Sequence, residues 1–319
     1  MFYVATLIAH PDRPAVTEVL AQKAARYLPH GRPVGWLAPG IAMDIPFLLD
    51  DLAEDEPDDD ERQALAGERQ TLLKDFAADI REMMEGEPVD VVIQPHESRR
   101  KKLFVADMDS TMIGQECIDE LADFAGLKAH VSEITERAMR GEIAFEPALR
   151  ERVALLKGLP ASVVDEVLEK RITLTPGGRQ LVATMRANGA WTCLISGGFT
   201  LFTNTVAARI GFQENRANEL VVSDGKFTGE VREPILGRAA KLATLIELTE
   251  AFDLDEIDTL VVGDGANDLG MIQKAGLGVA YHAKPTVSAA AAARIDHGDL
   301  TALLYAQGYR RDEFVDSAA

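Results

Sequence analysis

Short apolar runs that end in polar clusters recur along the second part of the chain. Leu103-Phe104-Val105-Ala106 leads into Asp107-Met108-Asp109, Trp191 to Ile195 into Ser196-Gly197-Gly198, and Thr259 to Val262 into Gly263-Asp264-Gly265-Ala266-Asn267-Asp268. Unbroken apolar runs of this length predict strands buried on both faces, as in parallel sheets. Helical spacing follows each return to the sheet, over Arg179 to Ala187, Phe199 to Ile210, Arg238 to Ala251 and from Leu269 onward. Ser196-Gly197-Gly198 is expected to be the turn that opens the second of these helices. Asp224-Gly225 predicts a two-residue hairpin between Glu219–Val222 and Lys226–Val231. A strand over Gly278 to Tyr281 and a helix near Leu300 to Gln307 close the pattern, which predicts a doubly wound parallel α/β sheet. Between the first two polar clusters, about 114–173, only helical stripes occur: Ile118, Leu121 and Ala122; Val153, Leu155 and Leu156; Val163, Val164 and Val167. These predict a helical insertion.

The first 97 residues pattern differently. Phe2 to His10 reads as a strand, Pro14 to Leu28 as a helix, and Val34 to Phe47 as a hairpin about Pro39-Gly40. Leu65 to Met84 reads as a long helix and Val89 to Gln94 as a strand, with the acidic tract Asp50 to Arg62 as a solvated loop. The order β-α-β-β-α-β predicts a ferredoxin-like α+β module over 1–97, joined by the basic run Ser98 to Lys102 to a domain over 98–319. Such a module suits sensing an amino acid or mediating homodimer contacts; the sequence does not choose between these, and plain structural packing is the default reading.

Composition narrows the partners. The 319 residues carry a formal charge of −19, which argues against nucleic acid or an anionic membrane as partner. No apolar run is long enough to span a bilayer and no signal-type segment opens the chain, so a cytoplasmic protein is expected. Cys117 and Cys193 give no disulfide framework and read as small buried hydrophobes; the six histidines form no ligand-like pair. An anionic substrate would be repelled at long range, so a phosphate site needs local positive charge.

The three polar clusters lie at the carboxyl ends of predicted strands, where the loops of an open α/β sheet converge on one crevice. Asp107 and Asp109 would repel each other there unless a cation lies between them, and oxygen ligands suit Mg²⁺. The set reads as a phosphoryl-transfer site. Asp107 is the candidate nucleophile, forming an acyl-phosphate; Asp109 is the candidate acid and then base. Asp264 is a further metal ligand. Ser196 and Gly197 offer a hydroxyl and a backbone N–H to phosphoryl oxygens. Lys241 is the candidate for the missing positive charge, although by pattern alone a lysine is more often a solvated surface group.

Asp107-Met108-Asp109-Ser110-Thr111, Ser196-Gly197-Gly198-Phe199, Lys241 and Gly263 to Asp268 together resemble the motifs of the haloacid dehalogenase (HAD) superfamily. Glu116 to Glu120, Thr135 to Gly141, Phe145 to Arg152 and Ala275 to Pro285 resemble its phosphoserine phosphatases, so the likeness runs from about Lys102 onward. Met108 stands where Phe is common between the two acids. The resemblance implies a HAD-type Rossmann-like fold whose insertion is a helical cap, and an N-terminal module of the ACT-like kind. It implies Mg²⁺ held by Asp107, Asp264 and the main-chain carbonyl of Asp109, with Asp268 behind them and Asn267 beside the phosphate. It implies hydrolysis of O-phospho-L-serine, the last step of serine biosynthesis, with Glu116 on the ammonium, Arg152 on the carboxylate, and Met139 and Phe145 as pocket walls. Without the resemblance, Glu116 and Arg152 read as surface charges and Met139 and Phe145 as core. Phosphoryl transfer to another alcohol such as homoserine, or another small-molecule phosphomonoesterase, is the alternative within this chemistry. A signalling receiver domain fits poorly, since it has no acid two residues past its nucleophile and no cap.

Overall fold

The computed structural model describes residues 1–49 and 59–316. The first module consists of β1 (Phe2–Ala9), α1 (Glu18–Ala24), β2 (Gly35–Ala38), β3 (Ala42–Leu48), α2 (Asp59–Met83) and β4 (Val89–Pro95). Its sheet is antiparallel in the order β2-β3-β1-β4. Two expectations shift. Of the acidic tract, 50–58 lies outside the described residues, but Asp59 to Arg62 form the first turn of α2 rather than a loop. The helix predicted over Pro14 to Leu28 is shorter, capped by Thr17 and ending in a 3₁₀ turn at Ala25–Tyr27.

Side chains alternate across this sheet. Tyr3, Ala5 and Leu7 of β1, with Met43, Ile45 and Phe47 of β3, face α1 and α2. Ile8, Ala42 and Val92 point the other way and join the core of the second part of the chain. That is why β1 is apolar on both sides: neither face meets water.

The second part begins with β5 (Leu103–Asp107), followed by the helices α3 (Cys117–Phe124), α4 (Lys128–Met139), α5 (Phe145–Ala154) and α6 (Val163–Lys170). Next come α7 (Gly178–Ala187), β6 (Trp191–Phe199), α8 (Thr200–Ile210), β7 (Glu214–Asn218) and the hairpin β8 (Leu220–Ser223) and β9 (Lys226–Val231). The chain continues with α9 (Arg238–Ala251), β10 (Thr259–Gly263), α10 (Leu269–Lys274), β11 (Leu277–Tyr281), α11 (Pro285–Ala290), β12 (Ala293–Ile295) and α12 (Ala302–Ala306). The parallel sheet has the order β12-β11-β10-β5-β6-β7. Leu103 and Val105 pack under α9 and α10, while Phe104 and Ala106 pack on the side of α7, α8 and α12. β5 is therefore buried on both faces, and its carboxyl end opens between β10 and β6.

β6 corrects the expected turn: it runs on through Ser196-Gly197-Gly198 to Phe199, with an irregular register after Ile195. The β8–β9 hairpin is bonded to the helical insertion, through Phe227 N–H to Leu159 O (3.0 Å) and Gly158 N–H to Phe227 O (2.9 Å).

The basic run is no free linker. Arg99 pairs with Asp44 at 2.7 Å, Arg100 with Glu313 at 2.6 Å and Lys102 with Asp258 at 3.2 Å. The Lys101 ammonium donates to the carbonyls of Ser98 and Ile257. The first module is further held by Gln94, which donates to Ala306 O at 2.7 Å. Buried Asp90 accepts the backbone N–H groups of Asp296, His297 and Gly298. Replacing Asp90 by Ala would leave those donors without an acceptor, at a cost of about 2 kcal/mol or more. Urea unfolding is expected to show that loss; a change below about 0.5 kcal/mol, typical of a surface site, would contradict this account of the junction.

Candidate active site

β5 delivers Asp107 to the mouth of the sheet with its side chain accepting from the Met108 N–H (2.7 Å). The chain then turns sharply, with Ser110 in the left-handed region at φ 53°. A non-glycine residue there is strained, and it is held by bonds: the Ser110 hydroxyl donates to Glu116 at 2.6 Å, and its N–H to Gln115 O. The turn swings Asp109 inward, where Oδ1 accepts the Cys117 N–H (2.8 Å) and Oδ2 the Ser196 hydroxyl (2.9 Å). Ser196 Oγ also accepts the Gly198 N–H at 2.8 Å. Its hydroxyl proton is thus engaged by Asp109 and would have to turn to reach a phosphoryl oxygen.

Lys241 comes from the first turn of α9 and is 0% exposed. Its ammonium lies 2.7 Å from both Asp107 and Asp268. The carboxylate of Asp264, just past β10, accepts a 3.3 Å bond from the Thr111 hydroxyl. Carboxylate oxygens of Asp107, Asp264 and Asp268 lie within 4.8 Å of one another. Gly263 is required at this corner, since a Cβ there would sit 2.5 Å from the Asp268 carboxylate.

Burial dominates the electrostatics. It pushes the Asp107 carboxyl well above its usual range, helped by the charge of Asp268 and opposed by Lys241. Burial also raises Asp264, to about 7, with Asp268 adding to it. Burial alone would lower the Lys241 ammonium, but Asp107 and Asp268 outweigh it and hold it protonated. Three buried carboxyl groups thus share one ammonium, an excess of negative charge that a divalent cation would relieve. The donors are all hard oxygens, which fits Mg²⁺. Both oxygens of Asp268 are already taken, by Lys241 and by the Gly265 N–H (3.1 Å). Oδ2 of Asp107 and Oδ2 of Asp264 receive no hydrogen bond among the described residues.

A cavity of about 260 Å³ opens beside these groups. Asp107, Asp109, Gly197, Asn267, Glu116, Phe145 and Arg152 line it. The Phe145 ring packs so closely on Gly197 that a Cβ there would meet it at 2.8 Å. Asn267 Oδ1 is buried with no hydrogen-bond partner, a sign of a ligand site, since buried acceptors are otherwise satisfied. Of the two residues read from pattern alone as surface charges, Arg152 is buried against the cavity and Glu116 is half-buried in its wall. Burial raises the Glu116 carboxyl well above its usual value, and nearby Asp109 adds to this. The side chain of Met139 lies outside the described residues; only its place at the end of α4 is known. Sequence reasoning gave no site role to the two further polar side chains of the wall, Thr135 and Arg238. Arg238 precedes Lys241 by one turn of α9, so helical spacing could have marked it.

The haloacid dehalogenase-like hydrolase family matches residues 104–273, the span that carries every carboxyl group of the cavity. The chain belongs to that family. This HAD hydrolase is 45% identical over 208 residues to a phosphoserine phosphatase of Polaromonas sp., which covers 64% of this chain and 88% of the relative. A solved phospho-aspartyl intermediate analogue of phosphoserine phosphatase superposes with a TM-score of 0.62 at 40% identity, over 64% of this chain and 98% of that one. A HAD family hydrolase from Salmonella enterica serovar Typhi superposes with a TM-score of 0.77 at 26% identity, over 98% and 99% of the two chains. The last match takes in the N-terminal module. Among the described residues, no helix of the hydrolase is long and apolar enough to cross a membrane.

If the acid cluster is a cation site, saturating Mg²⁺ stabilises the folded protein and raises Tm, by about 2.7 kcal/mol at a hundred times Kd. Asp264→Asn is expected to abolish most of that increment in a calorimetric scan. An equal shift in the variant would remove Asp264 from the ligand set.

Proposed function

We propose that this hydrolase is a phosphoserine phosphatase, converting O-phospho-L-serine and water to L-serine and phosphate. The observation that carries the reading is the presence of two opposite charges, Glu116 and Arg152, in the cavity wall with separate partners. Glu116 is bonded to Ser110, and Arg152 to Thr135 and Ala148 O, but they do not pair with each other. A carboxylate and a guanidinium held apart beside a phosphoryl site are open to a zwitterion. O-phosphoserine is that ligand: its ammonium meets Glu116, its carboxylate the Arg152 fork, and its phosphate the groups around Asp107. The relatives of the same name support this assignment.

In the first half-reaction, Asp107 attacks phosphorus and the bond to the serine oxygen breaks, giving an acyl-phosphate. Asp109 gives its proton to the departing alkoxide, then takes one from the water that attacks the acyl-phosphate, which frees phosphate and restores both carboxyl groups. Ser196, the Gly197 N–H, Asn267 and Lys241 hold the phosphoryl oxygens, and Lys241 keeps Asp107 aimed. Mg²⁺ would be held by the free oxygens of Asp107 and Asp264 with the Asp109 carbonyl, Asp268 standing behind them. It would supply charge neutralisation at the equatorial oxygens.

On this reading the catalytic domain spans 98–319, the helices of about 114–173 are a cap that excludes water, and Phe145 is pocket wall. The N-terminal unit is a ferredoxin-like module of the ACT-like kind.

Purified protein with phosphoserine and Mg²⁺ is expected to release phosphate stoichiometrically, at a rate and yield unchanged by homoserine. Phosphohomoserine in place of free phosphate would favour the phosphotransferase alternative. Asp107→Asn is expected to lose about a thousand-fold or more in kcat and to yield no trapped acyl-phosphate, while keeping its circular dichroism spectrum. Acyl-phosphate in that variant would refute the nucleophile.

A further inference from the structure

Behind Arg152 lies a buried relay of side chains. Thr135, on α4, is 3% exposed, and its hydroxyl lies between two charged groups. It donates to Asp119 Oδ1 at 2.7 Å and accepts from Arg152 Nη1 at 2.9 Å. The carbonyl of Val131 is the other acceptor within reach, at 3.0 Å, but a hydroxyl has one proton and the charged acceptor is the stronger. Asp119, on α3, is fixed in turn by the Ser132 hydroxyl at 2.7 Å. On its far side Arg152 Nε–H donates to Ala148 O at 3.1 Å, within α5. Three helices of the insertion thus meet on one guanidinium.

We propose that Thr135, oriented by Asp119, is the positioning residue that sets the substrate preference of the site by fixing the rotation of the Arg152 guanidinium. A guanidinium has five N–H donors in a rigid plane. Two are used by Ala148 and Thr135, which leaves three on the remaining side to grip a carboxylate. Without the hydroxyl the plane is free to rotate about the Nε anchor, and the bidentate geometry that distinguishes a carboxylate from water is lost. Asp119 gives the hydroxyl its direction: its charge draws the proton, so the oxygen presents lone pairs to Arg152.

This inference rests on the reading of the substrate as phosphoserine, and the test separates the two. The readout is the ratio of kcat/KM for phosphoserine to that for phosphoethanolamine, which keeps the phosphate and ammonium and lacks the carboxylate. Wild type is expected to favour phosphoserine strongly. Thr135→Val, which keeps the volume and deletes the hydroxyl, is expected to shrink that ratio about ten-fold, mainly through KM for phosphoserine. Thr135→Ser is expected to restore it. In an Arg152→Ala background, Thr135→Val is expected to change the ratio no further, because its effect passes through the arginine. Asp119→Asn, which keeps shape and removes charge, is expected to shift the ratio the same way and serves if Thr135→Val does not fold. A wild-type-like ratio in Thr135→Val, or in Asp119→Asn where that stands in, overturns the positioning role. An equal further loss in the Arg152→Ala background does the same. A wild type with no preference between the two esters overturns the phosphoserine reading and this inference with it.

Discussion

A single buried ammonium governs the arrangement of the site. Lys241 is the only base within ion-pair distance of Asp107 and Asp268 among the described residues, and it is wholly removed from water. Burying a charge is costly unless it is paired and hydrogen-bonded, so the end of β5, the start of α9 and the loop after β10 cannot shift independently. Each contributes one member of a set whose other members would be left uncompensated. The turn after β5 depends on this as well. Ser110 sits in a strained conformation, and what it gains is the placement of Asp109 against Ser196 and of Glu116 at the cavity.

Much of this was legible before any coordinates. Apolar runs ending in polar clusters located β5, β6 and β10 and therefore the crevice, because fully buried parallel strands leave no other pattern. β7 was missed because Glu214-Asn215-Arg216-Ala217-Asn218 is an edge strand whose polar side chains pair outward, Arg216 with Glu214 and Glu247. Two glycines made the end of β6 look like a turn. Glu116 and Arg152 could be singled out only by resemblance, since nothing in their local pattern separates a buried charge from a solvated one. Thr135 opens one of the stretches that carry the resemblance, but nothing local marks its role: the charged groups it joins lie 16 and 17 residues away on other helices.

The N-terminal unit carries the same lesson. A strand with one solvated face alternates, yet Phe2 to Ala9 is nearly all apolar. That run already required a cover on both sides of the sheet, and α12 with its neighbours provides the second. The basic stretch behaves likewise: four consecutive cations read as a solvated link, but each has an acceptor that the fold alone brings near.

The net charge of −19 and a phosphate-binding site are reconciled by burial. Exposed carboxylates would leave the cavity strongly anionic and closed to a phosphate ester. Burial instead raises the carboxyl groups of Asp107, Glu116 and Asp264, so each holds a proton more readily than a solvated acid does. On the proposed reading, a divalent ion at Asp107 and Asp264 would compete with protons for the same oxygens. Under the proposed function Glu116, bonded to Ser110, would gain its compensation from a different source, a cation carried in by the ligand itself.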